Sequence, residues 1–164
     1  MDGDNERVIT VTSQTADEST SRPIGVFLLD DHEIVRRGVR DLLEAESDIR
    51  VVGEAGTASS ALARIPALRP DVAVLDMRLP DGDGVEVCRE VRSRMPAVAC
   101  LILTSFGDEE ALFNAVMAGA AGYVLKQIRG SDLVGAVRTV AAGQSMLDPQ
   151  SYAIDSDRGG RWRR

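Results

Sequence analysis

Five times along this chain a short, unbroken apolar run gives way within a few residues to a stretch whose apolar side chains recur at helical spacing. Ile24 to Leu29 leads into a helical period from Glu33, Ile49 to Val52 into one capped by Thr57, and Val72 to Leu75 into one opened by Gly84. Val98 to Leu103 leads into one opened by Asp108, and Gly122 to Leu125 into one capped by Ser131. Apolar runs without polar alternation suit strands covered on both faces, the condition of parallel sheets whose crossover helices pack on either side. The expected fold is therefore α/β: a doubly wound, five-stranded parallel sheet, (βα)5, of the flavodoxin-like class. The units share a pattern but no repeated sequence, which argues against a solenoid. In the first helix Ile34, Gly38 and Leu42, with Val35, Val39 and Leu43 beside them, form the expected inner stripe, while Arg36, Arg37, Arg40, Asp41 and Glu44 face out. Gly53 to Gly56 reads as a turn, Pro66 should kink or end the second helix, and Gly119 and Gly143 should close the fourth and fifth.

Four of the five runs end in polar groups: Asp30 and Asp31 after the first, Asp76 after the third, Thr104 after the fourth and Lys126 after the fifth. The carboxyl edge of an open α/β sheet is where ligands collect, because the strands stop there and the loops leave a crevice. Three carboxylates in one crevice repel one another unless a cation compensates, and Mg²⁺ is the natural one, with its preference for hard oxygen ligands. Lys126 adds a point charge and Thr104 a hydroxyl, a set suited to neutralising phosphoryl oxygens. Asp76 then becomes a nucleophile that forms an acyl phosphate.

Other readings are weaker. Asp30 and Asp31 could merely cap a helix, Lys126 could be solvated, Thr104 could be a strand terminator and Tyr123 plain core. His32, the single histidine, lies at a helix start and reads as surface or capping decoration. Asp81 and Asp83 suggest a calcium loop, but Val85 breaks the ligand order. A haloacid-dehalogenase-like phosphatase would want an acid two positions past the nucleophile, where Arg78 stands and cannot donate a proton. No Gly-x-Gly-x-x-Gly follows the first run, so a dinucleotide site is not indicated.

The words Val26-Phe-Leu-Leu-Asp-Asp-His-Glu33, Val74-Leu-Asp-Met-Arg-Leu-Pro-Asp-Gly-Asp-Gly84, Leu101-Ile-Leu-Thr-Ser105 and Gly119-Ala-Ala-Gly-Tyr-Val-Leu-Lys126 resemble the receiver domains of two-component response regulators, in the NarL/FixJ subgroup. The resemblance covers residues 24 to about 148 and implies a CheY-like domain over 23–148. By this resemblance Asp76 is similar to the phosphorylated aspartate, and Asp30, Asp31, Asp76 and the backbone carbonyl of Arg78 to the Mg²⁺ ligands. Thr104 and Tyr123 are similar to the switch pair, and Lys126 to the lysine that pairs with phosphate. The family implies a phosphoacceptor with slow self-dephosphorylation and no other enzyme activity. Its phosphoryl donor would be a sensor histidine kinase, and it would pair as a homodimer, or a heterodimer with a full-length regulator, through the face of the fourth helix, fifth strand and fifth helix. Arg78 and Phe106, two past Asp76 and Thr104, flank the path of a hydrolytic water and should prolong the phosphoryl state.

Residues 1–22 are polar and acidic and read as a disordered leader, and 149–164 as a disordered basic tail. The family's helix-turn-helix module would need roughly 60 residues more than follow the receiver, so DNA binding is not supported; a truncated or frame-shifted effector, acting as a phosphate sink or dimerising antagonist, is the expectation. A net charge of −7 also disfavours binding through phosphate neutralisation. Cys88 and Cys100 lack metal-site spacing and read as small core residues of a cytoplasmic protein, and no run is long enough to span a membrane.

Overall fold

The computed structural model describes residues 22–105 and 109–147. Nearly all of the expected leader, the tail, Phe106 and Asp108 lie outside the described residues. The chain alternates β1 (Ile24–Leu29), α1 (Glu33–Glu44), β2 (Ile49–Ala55), α2 (Ala58–Leu68), β3 (Val72–Asp76), α3 (Gly84–Arg94), β4 (Ala99–Thr104), α4 (Glu109–Met117), β5 (Gly122–Leu125) and α5 (Gly130–Ala141). A two-residue ribbon, Arg78–Leu79 against Gly82–Asp83, interrupts the passage from β3 to α3.

The strands form one parallel sheet in the order β2-β1-β3-β4-β5. All five residues of β3 are buried. Alternate side chains along the strands explain why the runs are apolar throughout. Phe27, Leu29, Ala73, Leu75, Cys100 and Ile102 meet α2, α3 and α4 on one face. Val26, Leu28, Val72, Val74, Leu101 and Leu103 meet α1 and α5 on the other. Cys88 and Cys100 are free, buried members of the first core. None of the helices described is long and apolar enough to cross a membrane.

Local chemistry sets the helix ends. Thr57 caps α2 by accepting from the Ser60 amide at 3.2 Å, and Asp83 caps α3 by accepting from the Glu86 amide at 2.8 Å. Three details depart from the sequence reading. β2 does not turn at Gly53: its register with β1 shifts between Val26 and Phe27, and the strand runs on to Ala55. Gly53 serves close packing there, since a Cβ would stand 2.5 Å from Leu68 Cδ1 and 3.0 Å from the Phe27 ring. Pro66, by contrast, stands near the end of α2 as expected: the helix stops at Leu68 and its cap residue Arg69 lies in the left-handed region at φ 49°. Ser131 lies inside the first turn of α5, whose N-cap is Arg129 without a side-chain bond. In α1 the expected inner stripe fails at its start: Ile34 is 84% and Val35 38% exposed. Arg36 turns inward instead, to Glu54 of β2.

Candidate functional site

The sheet order reverses direction of winding between β1 and β3, which opens a crevice at their carboxyl ends. Register decides what lines it. Leu29 pairs with Leu75, so Asp30 emerges beside Asp76; Asp76 pairs with Leu103, so Thr104 follows one step beyond; Thr104 pairs with Leu125, so Lys126 comes next. The Lys126 amide donates to the Thr104 carbonyl at 2.7 Å and the Met77 amide to the Leu103 carbonyl at 3.3 Å, which carries the ladder past the strand ends.

Asp30, Asp76 and Thr104 are the buried polar residues among those described, exposed by 5%, 5% and 1%. The Lys126 ammonium lies 3.2 Å from Asp76 Oδ1 and 3.1 Å from Asp30 Oδ2, binding the two carboxylates into a triad. Burial pushes the Asp76 carboxyl up, to about 6, and the neighbouring Asp30 charge pushes the same way against the pull of Lys126. Burial opposes the charge on Lys126, yet Asp30 and Asp76 outweigh it and hold the ammonium above the ordinary lysine range. One positive charge thus leaves the cluster short of compensation.

Asp30, Asp31, His32 and Asp76 each present a ligand atom within 4.8 Å of the others. Asp30 Oδ2 is buried, and the Lys126 ammonium 3.1 Å away is an ion-pair partner rather than a hydrogen-bond donor to it. Three carboxylates, one with an unsatisfied buried oxygen, fit a hard divalent cation. Neither aspartate caps α1 directly. His32 holds the N-cap position without a side-chain cap bond, and Asp30 Oδ1 accepts from its amide at 2.8 Å. Its ring is mostly exposed, with Nδ1 3.4 Å from Asp30 Oδ1 and 3.2 Å from Asp31 Oδ1.

Arg78 opens the ribbon after Asp76 and is exposed, and Tyr123 is half-buried against the core face of α2 to α4. Direct contact therefore joins Asp30, Asp76 and Lys126; Asp31 flanks them, Thr104 adjoins by register, and Tyr123 stands three residues before Lys126 on β5. Two residues that shape the site escaped sequence reasoning. Arg36 donates from Nη1 to the Asp30 carbonyl at 2.5 Å, and Asp81 accepts from the Ala58 and Ser59 amides at 2.7 and 3.0 Å, tying the β3–α3 loop to the start of α2. Helical periodicity placed Arg36 outward, and only the register of β2 beside β1 brings Glu54 within its reach. The Asp81 partners are 22 and 23 residues away, and the Asp-Gly-Asp-Gly spelling signals a turn but not its destination.

A family model described as the response regulator receiver domain matches residues 26–138. Over 130 residues the chain is 58% identical to the DNA-binding transcriptional activator DevR/DosR of Mycobacterium tuberculosis, covering 79% of this chain and 60% of that protein. It is 37% identical over 127 residues to the response regulator protein VraR of Staphylococcus aureus, covering 77% and 61%. The chain thus spans about 60% of the length of these curated relatives. Among solved structures, the signal receiver domain of a response regulator NarL from M. tuberculosis matches with a TM-score of 0.73 at 36% identity, covering 75% of this chain and 99% of that one. A LuxR-family two-component response regulator from Aurantimonas sp. SI85-9A1 matches with a TM-score of 0.75 at 34% identity, covering 83% and 98%.

Proposed function

This chain belongs to the response regulator receiver domain family, of the NarL/LuxR type, and from that premise we propose that it accepts a phosphoryl group on Asp76. The observation that carries the proposal is the Asp30–Lys126–Asp76 triad at the sheet's switch point, with carboxylates in excess of the single ammonium. With its carboxyl near 6, Asp76 is ionised roughly ten to one at neutral pH and available as a nucleophile. A carboxylate oxygen forms the bond to phosphorus while the donor's bond to phosphorus breaks and its electron pair leaves with the donor. A phosphohistidine of a sensor histidine kinase is the donor proposed, since receiver domains are phosphorylated by such kinases.

Lys126 would pair with an oxygen of the incoming group, and Thr104, one strand nearer, would donate its hydroxyl to another. Asp30, Asp31 and Asp76, with the Arg78 carbonyl, would hold Mg²⁺, which when bound neutralises both the carboxylates and the phosphoryl oxygens. Loss of the group by slow hydrolysis is the only turnover proposed. Tyr123 completes the switch: Thr104 drawn to the phosphoryl group frees space into which the ring moves, biasing the α4–β5–α5 face. Intact-mass spectrometry with acetyl phosphate and Mg²⁺ tests the site: a phosphoryl adduct is expected on the wild type and none on Asp76→Asn. Equal adducts on both would place the acceptor elsewhere. Asp31→Ala should lose labelling together with its Mg²⁺ dependence.

A further inference from the structure

The loop that carries Asp30 and Asp31 leaves the sheet at an edge where β2 is its only strand neighbour besides β3. Three bonds hold it. The Asp30 amide donates to the Ala55 carbonyl at 3.1 Å, Asp30 Oδ1 takes the His32 amide at 2.8 Å, and the Asp30 carbonyl takes Nη1 of Arg36 at 2.5 Å. The third differs from the others in that its donor is a cationic side chain reaching back from a helix. The same guanidinium donates from Nε to Glu54 Oε1 at 3.0 Å, and Glu54 Oε2 accepts from Arg40 at 2.7 Å. Both Arg36 and Glu54 are largely shielded, with side chains 19% and 23% exposed, so this pair is not an ordinary solvated ion pair. Gly56 adjoins this contact: a Cβ there would stand 3.4 Å from Arg36 Nη1 and 3.8 Å from the Asp30 carbonyl oxygen, both ordinary contact distances.

We propose that Arg36 is a positioning residue for the divalent-cation site: by tying the Asp30 backbone to Glu54 on β2 it fixes the acidic pair in the geometry that binds Mg²⁺. The proposal rests on the functional reading above and adds a residue to it. Groups that orient metal ligands from behind typically set affinity by 10- to 100-fold, because a ligand free to turn must be ordered each time the ion binds. The sign of the effect separates this role from a field effect. Arg36 is a cation close to a cation site, so on Coulomb grounds alone its removal would tighten Mg²⁺ binding; positioning demands that removal weaken it.

Titration calorimetry of the full chain with Mg²⁺ alone, and paramagnetic resonance with Mn²⁺, measure this without phosphorylation. Arg36→Met, which keeps the aliphatic stem, should weaken Mg²⁺ binding about tenfold. Arg36→Lys, which reaches one partner at a time, should fall between it and the wild type. Arg40→Met removes the other cation on Glu54 without touching Asp30, and should bind Mg²⁺ as well as the wild type or better. In acetyl phosphate labelling Arg36→Met should raise the Mg²⁺ concentration needed and leave the rate at saturating Mg²⁺ nearly unchanged. Unchanged or tighter binding by Arg36→Met overturns the proposal, as does an equal loss in Arg40→Met. If the methionine variant does not fold, a lysine variant that binds as tightly as the wild type overturns it instead. A wild type that binds no Mg²⁺ overturns the functional reading along with it, whereas equal binding by wild type and Arg36→Met overturns the inference alone.

Discussion

Asp76 is a charge held where burial and a second carboxylate disfavour it, and that has a consequence for stability in the metal-free protein. Its carboxyl ionises near 6 when folded, against about 3.9 in an unfolded chain. Between those pH values the folded chain keeps a proton that the unfolded chain has lost, so stability falls as pH rises from about 4 to about 6 and the contribution is gone above that window. Two pKa units correspond to about 2–3 kcal/mol. Asp76→Asn removes the destabilising charge, so urea denaturation without Mg²⁺ should show it more stable than the wild type by on the order of 2 kcal/mol at pH 7.5, with the gain vanishing near pH 4. A constant difference across that range would mean that Asp76 keeps an ordinary pKa. The residues of this cluster were legible because a polar side chain ending an apolar run can lie only at the strand's edge. Arg36 was not, because the pattern rule that reads α1 correctly at Leu43, fully buried, fails in its first turn, where Ile34 is exposed and Arg36 faces Glu54.

Among the elements, the junction of β3 and α3 ties the site to the core through close backbone contact. The Gly84 amide donates to the Met77 carbonyl at 2.9 Å, and a Cβ on Gly84 would stand 2.2 Å from the Asp76 carbonyl oxygen. That neighbour is backbone and cannot swing aside. Gly84→Ala must therefore push α3 off β3, and thermal or urea unfolding should register a loss of about 1–3 kcal/mol or more, with phosphoryl labelling reduced in the fraction that stays folded. A variant of wild-type stability and labelling would show that the helix start can shift freely. On the other flank, Asp81 holds the loop to α2, and the Ala58 and Ser59 amides keep its carboxyl below the ordinary range. Its contribution is therefore present above the unfolded pKa of about 3.9 and is lost as pH falls through the lower folded value. Asp81→Ala should lower the melting temperature at pH 7, and the deficit should shrink in strong acid. Strand positions were readable from apolar runs, and the Thr57 cap from its hydroxyl before a helical period. The continuation of β2 through Gly53 and the placement of Ser131 inside α5 were not, since each depends on a neighbour distant in sequence: the register against β1, and the packing of Gly130 on Leu42, where a Cβ would stand 2.7 Å from Cδ1.

For the whole molecule, the question is which element can move when the site is phosphorylated. Helix α4 buries Leu112 and Ala115 within Glu109–Met117, whereas α3 and α5 each bury five residues over a length only slightly greater. Less buried surface means a smaller penalty for displacement, so α4 shifts at lower cost than α3 or α5. It also exposes Phe113 by 50% and Met117 by 67%, and Leu125 of β5 is 37% exposed. Large apolar side chains exposed one turn apart on a helix suit a partner surface. If phosphorylation of Asp76 biases α4 and Tyr123 toward one arrangement, association through this face should follow it. Sedimentation velocity should show the chain monomeric without phosphate and self-associating after acetyl phosphate with Mg²⁺. Met117→Glu should abolish association while leaving labelling of Asp76 intact, because Met117 lies at the far end of α4 from the site. A phosphorylated chain that stays monomeric, or a Met117→Glu variant that associates as the wild type does, would move the output to another face of the domain.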